Sequence, residues 1–423
     1  MFFKLMIIKG ILAIGFFIFI FGWKIAQMID LISLFSVAFF SAYVLILQGH
    51  ISKSEAKIVW LLLLLVVYST FITIIHGGIE LHYPMRSLRA LINFLGAIGI
   101  VGFFQLIYGK HYADQLLLHL FLSLVVHAIV IFAMYVSDTF RATVYDLTGA
   151  IAYGFVNLNT PILTGLRVSG LTYGLAQTSV LQMAGFFIFP FLYRRFMVKI
   201  FSVIFAFFLI ISIFVSGRTG LILGSFLVPL AFLLYSIKYE IKELFFLFST
   251  IVFVVILVLI LKDSFLLPHK FYNYNMEWIS EILEIEKSED FLGLLQTMRD
   301  MYFLPHDAWI FLFGSGITGR GEGGYIPSDS GYVLSVFGVG IVGLSLMMSI
   351  YMVAFIYGIQ VFNIHRGVSV FLMLLVISVF ILNFKEFALL TRNQFSVLAL
   401  LMCTASRLRF SNLHREFEGG DRR

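Results

Sequence analysis

Ile58-Val-Trp-Leu-Leu-Leu-Leu-Leu-Val-Val-Tyr-Ser-Thr-Phe-Ile-Thr-Ile-Ile75 runs without a single charged side chain. As a helix it is apolar on every side. A bilayer accepts such a helix, because about 20 mostly apolar residues cross the hydrocarbon layer. Lys53 and Lys57 stand just before it, where one end meets the lipid head groups. Working outward, comparable stretches fall near 5–22, 31–48, 88–108, 115–136, 176–193, 198–215, 219–237, 244–261, 332–358, 368–384 and 387–404. The first lacks a small-residue cleavage site before Trp23 and Lys24, so it reads as a retained anchor rather than a signal peptide. The expected fold is all-α: a polytopic integral membrane protein of about 12 transmembrane helices. Residues 1–423 form a single integral membrane domain in this reading.

Composition supports the class. The chain is 61% apolar and 12% charged, a balance that excludes a soluble domain. The net charge of +6 needs no nucleic acid, since basic loops beside a membrane account for it. Cys403 is the sole cysteine, which rules out an internal disulfide and a thiolate metal site.

Lysine and arginine positions set the expected orientation. With the N-terminus inside, the inner segments hold 16 of the 29 basic residues in less than half as many positions as the outer segments. The positive-inside rule then puts both termini in the cytoplasm. The outer set is richer in arginine: Arg86, Arg89, Arg141, Arg167, Arg218, Arg299, Arg320 and Arg392. Arginine grips phosphate well, because its planar fork is always charged and donates two parallel hydrogen bonds. An anionic head group held on the outer face is the expectation.

Two connections are long, and both fall outside. The first large loop covers 137–175. The second covers 262–331 and carries 11 of the 23 acidic residues. Part of the second reads as helix. Glu277, Glu281 and Glu284 share one face, and Ser288 starts a run with Phe291, Leu294, Leu295 and Met298 as its apolar stripe. Such helices lie along the membrane surface, as a plain cover for the bundle or as a lid over substrate; both readings stand.

Four constellations bear on chemistry. Ser216-Gly217-Arg218-Thr219-Gly220 makes a tight turn between two spans, joined by about four residues. Arg218 there is either a snorkelling interfacial cation or an anion ligand, and the flanking glycines favour close backbone packing. Arg86 and Arg89 are three apart at the start of a span, on one helix face and at the positive end of its dipole. They bind an anion, or pair with a carboxylate such as Glu80 or Asp329. Gly314-Ser-Gly-Ile-Thr-Gly-Arg320-Gly-Glu-Gly-Gly324 is a glycine loop around Arg320 whose N–H groups are suited to an anion nest. It fits GxGxxG only formally, with no strand–turn–helix unit about it. Tyr325 and Asp329 follow, with Asp329 placed as helix N-cap, as catalytic carboxylate, or both. His306-Asp307 is a general-base candidate or a solvated loop pair. His119 and His127 share a face of the fifth span without a third ligand and read as interior polar residues.

The run Ser216–Leu221 (S-G-R-T-G-L), a long outer loop, then L-F-G-S-G at Leu312–Gly316 and S-D-S-G-Y…G-V-G-I-V-G-L entering a span at Ser328–Leu344 resemble the O-antigen polymerase and O-antigen ligase superfamily of bacterial membrane glycosyltransferases. The likeness covers about residues 200–345 by motif and the whole chain by topology. Ligases carry a His-Asn pair where this chain has Asp329-Ser330, which favours the polymerase branch. The resemblance implies a polymerase at the periplasmic face of the inner membrane that joins oligosaccharide repeat units carried on undecaprenyl diphosphate. No cofactor is implied, and metal independence is the family expectation, although the acidic second loop leaves room for a divalent ion. Membrane lipid and a chain-length regulator protein are the further partners it admits.

That chemistry assigns roles to residues. A departing diphosphate needs cations: Arg218 and Arg320 first, then Arg86, Arg89, Arg167 and Arg299. The attacking hydroxyl needs a base: Asp329 first, with His306 and Glu322 behind it. Tyr325, Tyr332 and Trp309 are placed to stack on sugar rings. The competing readings are an O-antigen ligase and a flippase for the same lipid-linked sugar. A flippase needs cations at the membrane midplane. No arginine falls in the middle of a predicted span.

Overall fold

A computed structural model describes the chain except residues 1, 26–28, 78–80, 149–166, 173, 194, 237–240, 261–295, 297–298, 318–319, 322–323 and 421–423. Its helices are α1 (Phe2–Phe21), α2 (Leu31–Leu45), α3 (Lys53–Ile75), α4 (His82–Tyr108), α5 (Tyr112–Val136) and α6 (Asp138–Thr148). There follow α7 (Leu175–Met183), α8 (Gly185–Leu192), α9 (Phe196–Ile200), α10 (Ser202–Ser216), α11 (Arg218–Ser236) and α12 (Ile241–Ile260). The last four are α13 (Ala308–Phe313), α14 (Gly331–Gln360), α15 (Arg366–Lys385) and α16 (Arg392–Gly420). Two antiparallel pairs of two-residue strands sit in connections: β1 (Lys24–Ile25) with β2 (Ile29–Asp30), and β3 (Arg320–Gly321) with β4 (Gly324–Tyr325).

Among the described residues, six helical stretches are long and apolar enough to cross a membrane. One of them, His82–Val136, runs through α4 and α5, and four shorter apolar helices accompany the six. The predicted span at 176–193 corresponds to Leu175–Leu192, one of the six, in which α7 and α8 meet at Ala184. The predicted span at 387–404 starts later, at Arg392, because the residues before it form a loop. In the first large loop Asp138–Thr148 is helical. The predicted helices of the second loop lie outside the described residues apart from its last part.

Side-chain contacts sort the helix ends onto two faces. On one, Arg407 of α16 is buried and pairs with the fully buried Glu55 of α3 at 2.9 Å. Its remaining donors reach Gln105 Oε1 at 2.8 Å and the Ile98 carbonyl at 3.0 Å, both on α4. Glu55 also closes a capping box with Ser52 that starts α3. Nearby, His365 before α15 lies 3.1 Å from Asp114 of α5. A charge buried this deeply persists only when its hydrogen-bonding groups are met, and Arg407 meets that condition. The described ends of the two long loops lie toward the other face, where Arg141 meets Met134 O and Tyr302 meets Phe384 O.

Helix α14 is interrupted. Gly340 has φ +66 and ψ 179, a conformation that L side chains avoid. A break frees backbone carbonyls, and lipid offers them no donor. The chain supplies its own. Ser315 N–H donates to Phe337 O and Gly316 N–H to Gly338 O, each at 2.8 Å. The Tyr68 hydroxyl of α3 lies 3.0 Å from both Phe313 O and Val339 O, and its one hydrogen is shared between them. Gly314, at φ +87, allows the approach, since a Cβ there would sit 2.4 Å from Gly338 O. The short helix α13, capped by Asp307, is thereby held against the break.

Candidate functional site

The face with the long loops is organised around residues 386–391, between α15 and α16. Asn383 Oδ1 accepts Ala388 N–H at 2.9 Å and Leu389 N–H at 3.2 Å. Leu390 takes a left-handed backbone, φ +57, and its N–H donates to the Tyr351 hydroxyl of α14 at 2.8 Å. Gln177 of α7 donates to Phe387 O at 3.2 Å, and Gln394 of α16 donates back to Gln177 O at 3.2 Å. Four helices thus hold one short loop, and a strained residue survives because its neighbours over-determine it.

The arginines gather at this loop. Arg86 lies over the Phe387 ring, 4.0 Å from its centre, a cation–π contact. Arg89 Nε is 3.1 Å from Asp30 Oδ2, and Arg392 Nη1 is 3.2 Å from Asp30 Oδ1. Asp30 also starts α2, accepting from Ile32 N–H at 3.2 Å and the Ser33 hydroxyl at 3.0 Å. Two guanidiniums from α4 and α16 therefore share one carboxylate. For Arg89 the described carboxylate is Asp30, which was not considered from sequence; Glu80 lies outside the described residues. Asp30 and Arg392 are nearly buried, with side-chain exposures of 12% and 7%, whereas Arg89 is 29% exposed.

The S-G-R-T-G turn is tighter than the four-residue connection expected. Gly217 alone joins α10 to α11. Gly220 N–H donates to Ser179 Oγ at 3.0 Å. A Cβ at Gly220 would lie 2.6 Å from the Ser179 backbone, so the two helices touch through bare backbone. Arg218 opens the first turn of α11 against α7, the helix whose Gln177 binds Phe387 O. Its side chain lies outside the described residues. Arg167 is half-buried beside Val168, whose N–H donates to Val215 O at 3.2 Å. Arg167 thus stands one residue, and Arg218 three residues, from this hydrogen bond.

The second loop is described only in its last part. Arg320 and Tyr325 face each other in the β3–β4 register; their side chains lie outside the described residues, as does Glu322. Arg299 is exposed, in a turn whose Tyr302 hydroxyl donates to Phe384 O at 2.5 Å. His306 is exposed, while Asp307 spends its carboxylate on Trp309 N–H and Ile310 N–H as the cap of α13. Asp329 is exposed, and the N-cap position of α14 belongs to Ser330 instead. Tyr332 donates to Phe380 O at 3.0 Å and packs its ring on Phe384, so that ring is engaged in the bundle. The nest reading of the glycine loop is corrected in its first half, where the Ser315 and Gly316 N–H groups serve the broken α14. Arg141 is buried and bound by Asp138 at 2.7 Å and by Met134 O at 3.2 Å.

Asp30, Gln177, Asn383 and Tyr351 were not singled out from sequence. Only Asp30 carried a signal there: a lone carboxylate directly before an apolar span is an N-cap pattern. Among the described residues no group of three His, Cys, Asp or Glu side chains is placed to hold a metal ion. No family model matches the chain, and no curated protein matches its sequence.

Proposed function

We propose that this protein is a polysaccharide polymerase of the bacterial inner membrane, with twelve spans, both termini in the cytoplasm and the long loops in the periplasm. It joins oligosaccharide units carried on undecaprenyl diphosphate. A hydroxyl oxygen of the acceptor unit attacks the anomeric carbon of the donor. The carbon–oxygen bond to the diphosphate breaks, and the hydroxyl proton passes to a carboxylate, Asp329 being the first choice. The lipid diphosphate leaves with the electron pair and the extra negative charge.

The observation that carries the reading is the gathering of Arg86, Arg89 and Arg392 at one loop, beside the turn that starts with Ser216-Gly217-Arg218. Preorganised cations aimed at a leaving group are the main demand of this chemistry, because the sugar–diphosphate bond is already activated. The deep cation Arg407 is fully engaged with Glu55, Gln105 and Ile98, which argues against a cationic path through the bundle. The test is the surface polysaccharide of cells lacking the protein. A polymerase defect leaves lipid A core capped with a single repeat unit. Absence of any attached repeat would indicate a ligase, and unchanged chains would refute both.

A further inference from the structure

His127 of α5 is a buried titratable group that this reaction does not use. It is fully buried, and its ring stacks on Phe21 with centroids 4.1 Å apart and planes within 17°. Its Nε2 accepts the backbone N–H of Leu171 at 3.0 Å. A neutral imidazole whose Nε2 accepts carries its proton on Nδ1. The Gln182 amide of α7 lies 2.6 Å from Nδ1 with its nitrogen toward the ring and its oxygen buried without a partner, so turning the amide over lets Nδ1 donate to that oxygen. The turn resting on this ring is close-fitting: Gly170 is left-handed at φ +64, and a Cβ there would sit 2.5 Å from Nε2. Three residues before Leu171, Val168 N–H donates to Val215 O in the last turn of α10. Arg167 precedes Val168, and Arg218 follows Val215 by three. One imidazole thus connects α5, α7 and the turn, and through the turn the end of α10.

We propose that His127 is a positioning residue for the anion site: its Nε2 sets the place of the 167–172 turn, and through it the backbone carrying Arg167 and Arg218. The proposal rests on the glycosyl-transfer reading only in taking those arginines to grip a diphosphate. Its distinctive consequence is that one ring nitrogen matters at this end of the ring. A glutamine sets its amide oxygen near the position of Nε2, whereas an asparagine sets its polar atoms near Nδ1.

The experiment uses full-length protein in phospholipid nanodiscs, with His127→Gln, His127→Asn and His127→Ala. Amide hydrogen exchange over 168–172 and binding of undecaprenyl diphosphate are measured on each. His127→Gln keeps the slow exchange and binds within about twofold of the unaltered protein, while the other two exchange faster and bind about tenfold more weakly, the cost of one buried donor left unpaired. A general packing role predicts that glutamine and asparagine behave alike, and that result overturns the proposal. So does faster exchange in the asparagine and alanine variants with unchanged binding. Failure of the unaltered protein to bind undecaprenyl diphosphate overturns the functional reading, and the exchange comparison then decides by itself whether Nε2 holds the turn.

Discussion

The carboxylate of Asp30 and the guanidinium of Arg392 are 362 positions apart in the chain and 3.2 Å apart in space. Arg89 completes the group at 3.1 Å on the other carboxylate oxygen. This shared carboxylate ties α2, α4 and α16 together on the face with the long loops.

Asp30→Ala removes the carboxylate that Arg89 and Arg392 share, and with it the cap of α2. Breaking a buried pair costs about 3 kcal/mol or more. Thermal unfolding in detergent measures it. Combining Asp30→Ala with Arg392→Met is less destabilising than the two single costs added, because the second change removes a cation that the first left unpaired. Additive costs would show that the two side chains do not interact.

Arg218→Ala and Arg320→Ala abolish long-chain polysaccharide while the protein still inserts. Arg218→Lys restores only part of the activity, since an ammonium lacks the bidentate fork. Gel analysis of chain length reads the outcome, and normal chains in Arg218→Ala remove that residue from the site.

Gly220→Ala drives a methyl group into the Ser179 backbone. Overpacking of this kind costs about 1–3 kcal/mol and shifts α11 relative to α7. Polymer length shortens with it if Arg218 acts from that turn. Gly10→Ala is the control, because nothing lies within 4 Å of its added Cβ.

Tyr351→Phe leaves Leu390 N–H without its acceptor. A buried unpaired donor costs about 1–3 kcal/mol. Limited proteolysis between residues 386 and 391 accelerates in the variant, and equal rates would show that the hydroxyl does not hold the loop.

How much was legible can be argued from particular residues. The run Ile58–Ile75 announces a membrane helix because transfer from water to lipid is local and nearly additive over residues. Arg86 and Arg89 share a helix face because a spacing of three places them so. The glycines of the S-G-R-T-G turn announced close packing, but not that Ser179 is the surface they meet. Gly338, Gly340 and Gly343 looked alike in the sequence, and only Gly340 turns to φ +66. The choice depends on where Ser315, Gly316 and Tyr68 supply donors for the freed carbonyls.

Class, helix content and the supply of cations are thus written residue by residue, since each depends on a side chain's own affinity for lipid or phosphate. Which cation meets which carboxylate is a different matter. Asp30 finds Arg89 and Arg392, His127 finds Leu171, and Tyr351 finds Leu390 only after helices distant in the chain have packed. Those pairings arise because a bilayer leaves no water to satisfy a polar group, so each one must find its partner elsewhere in the fold.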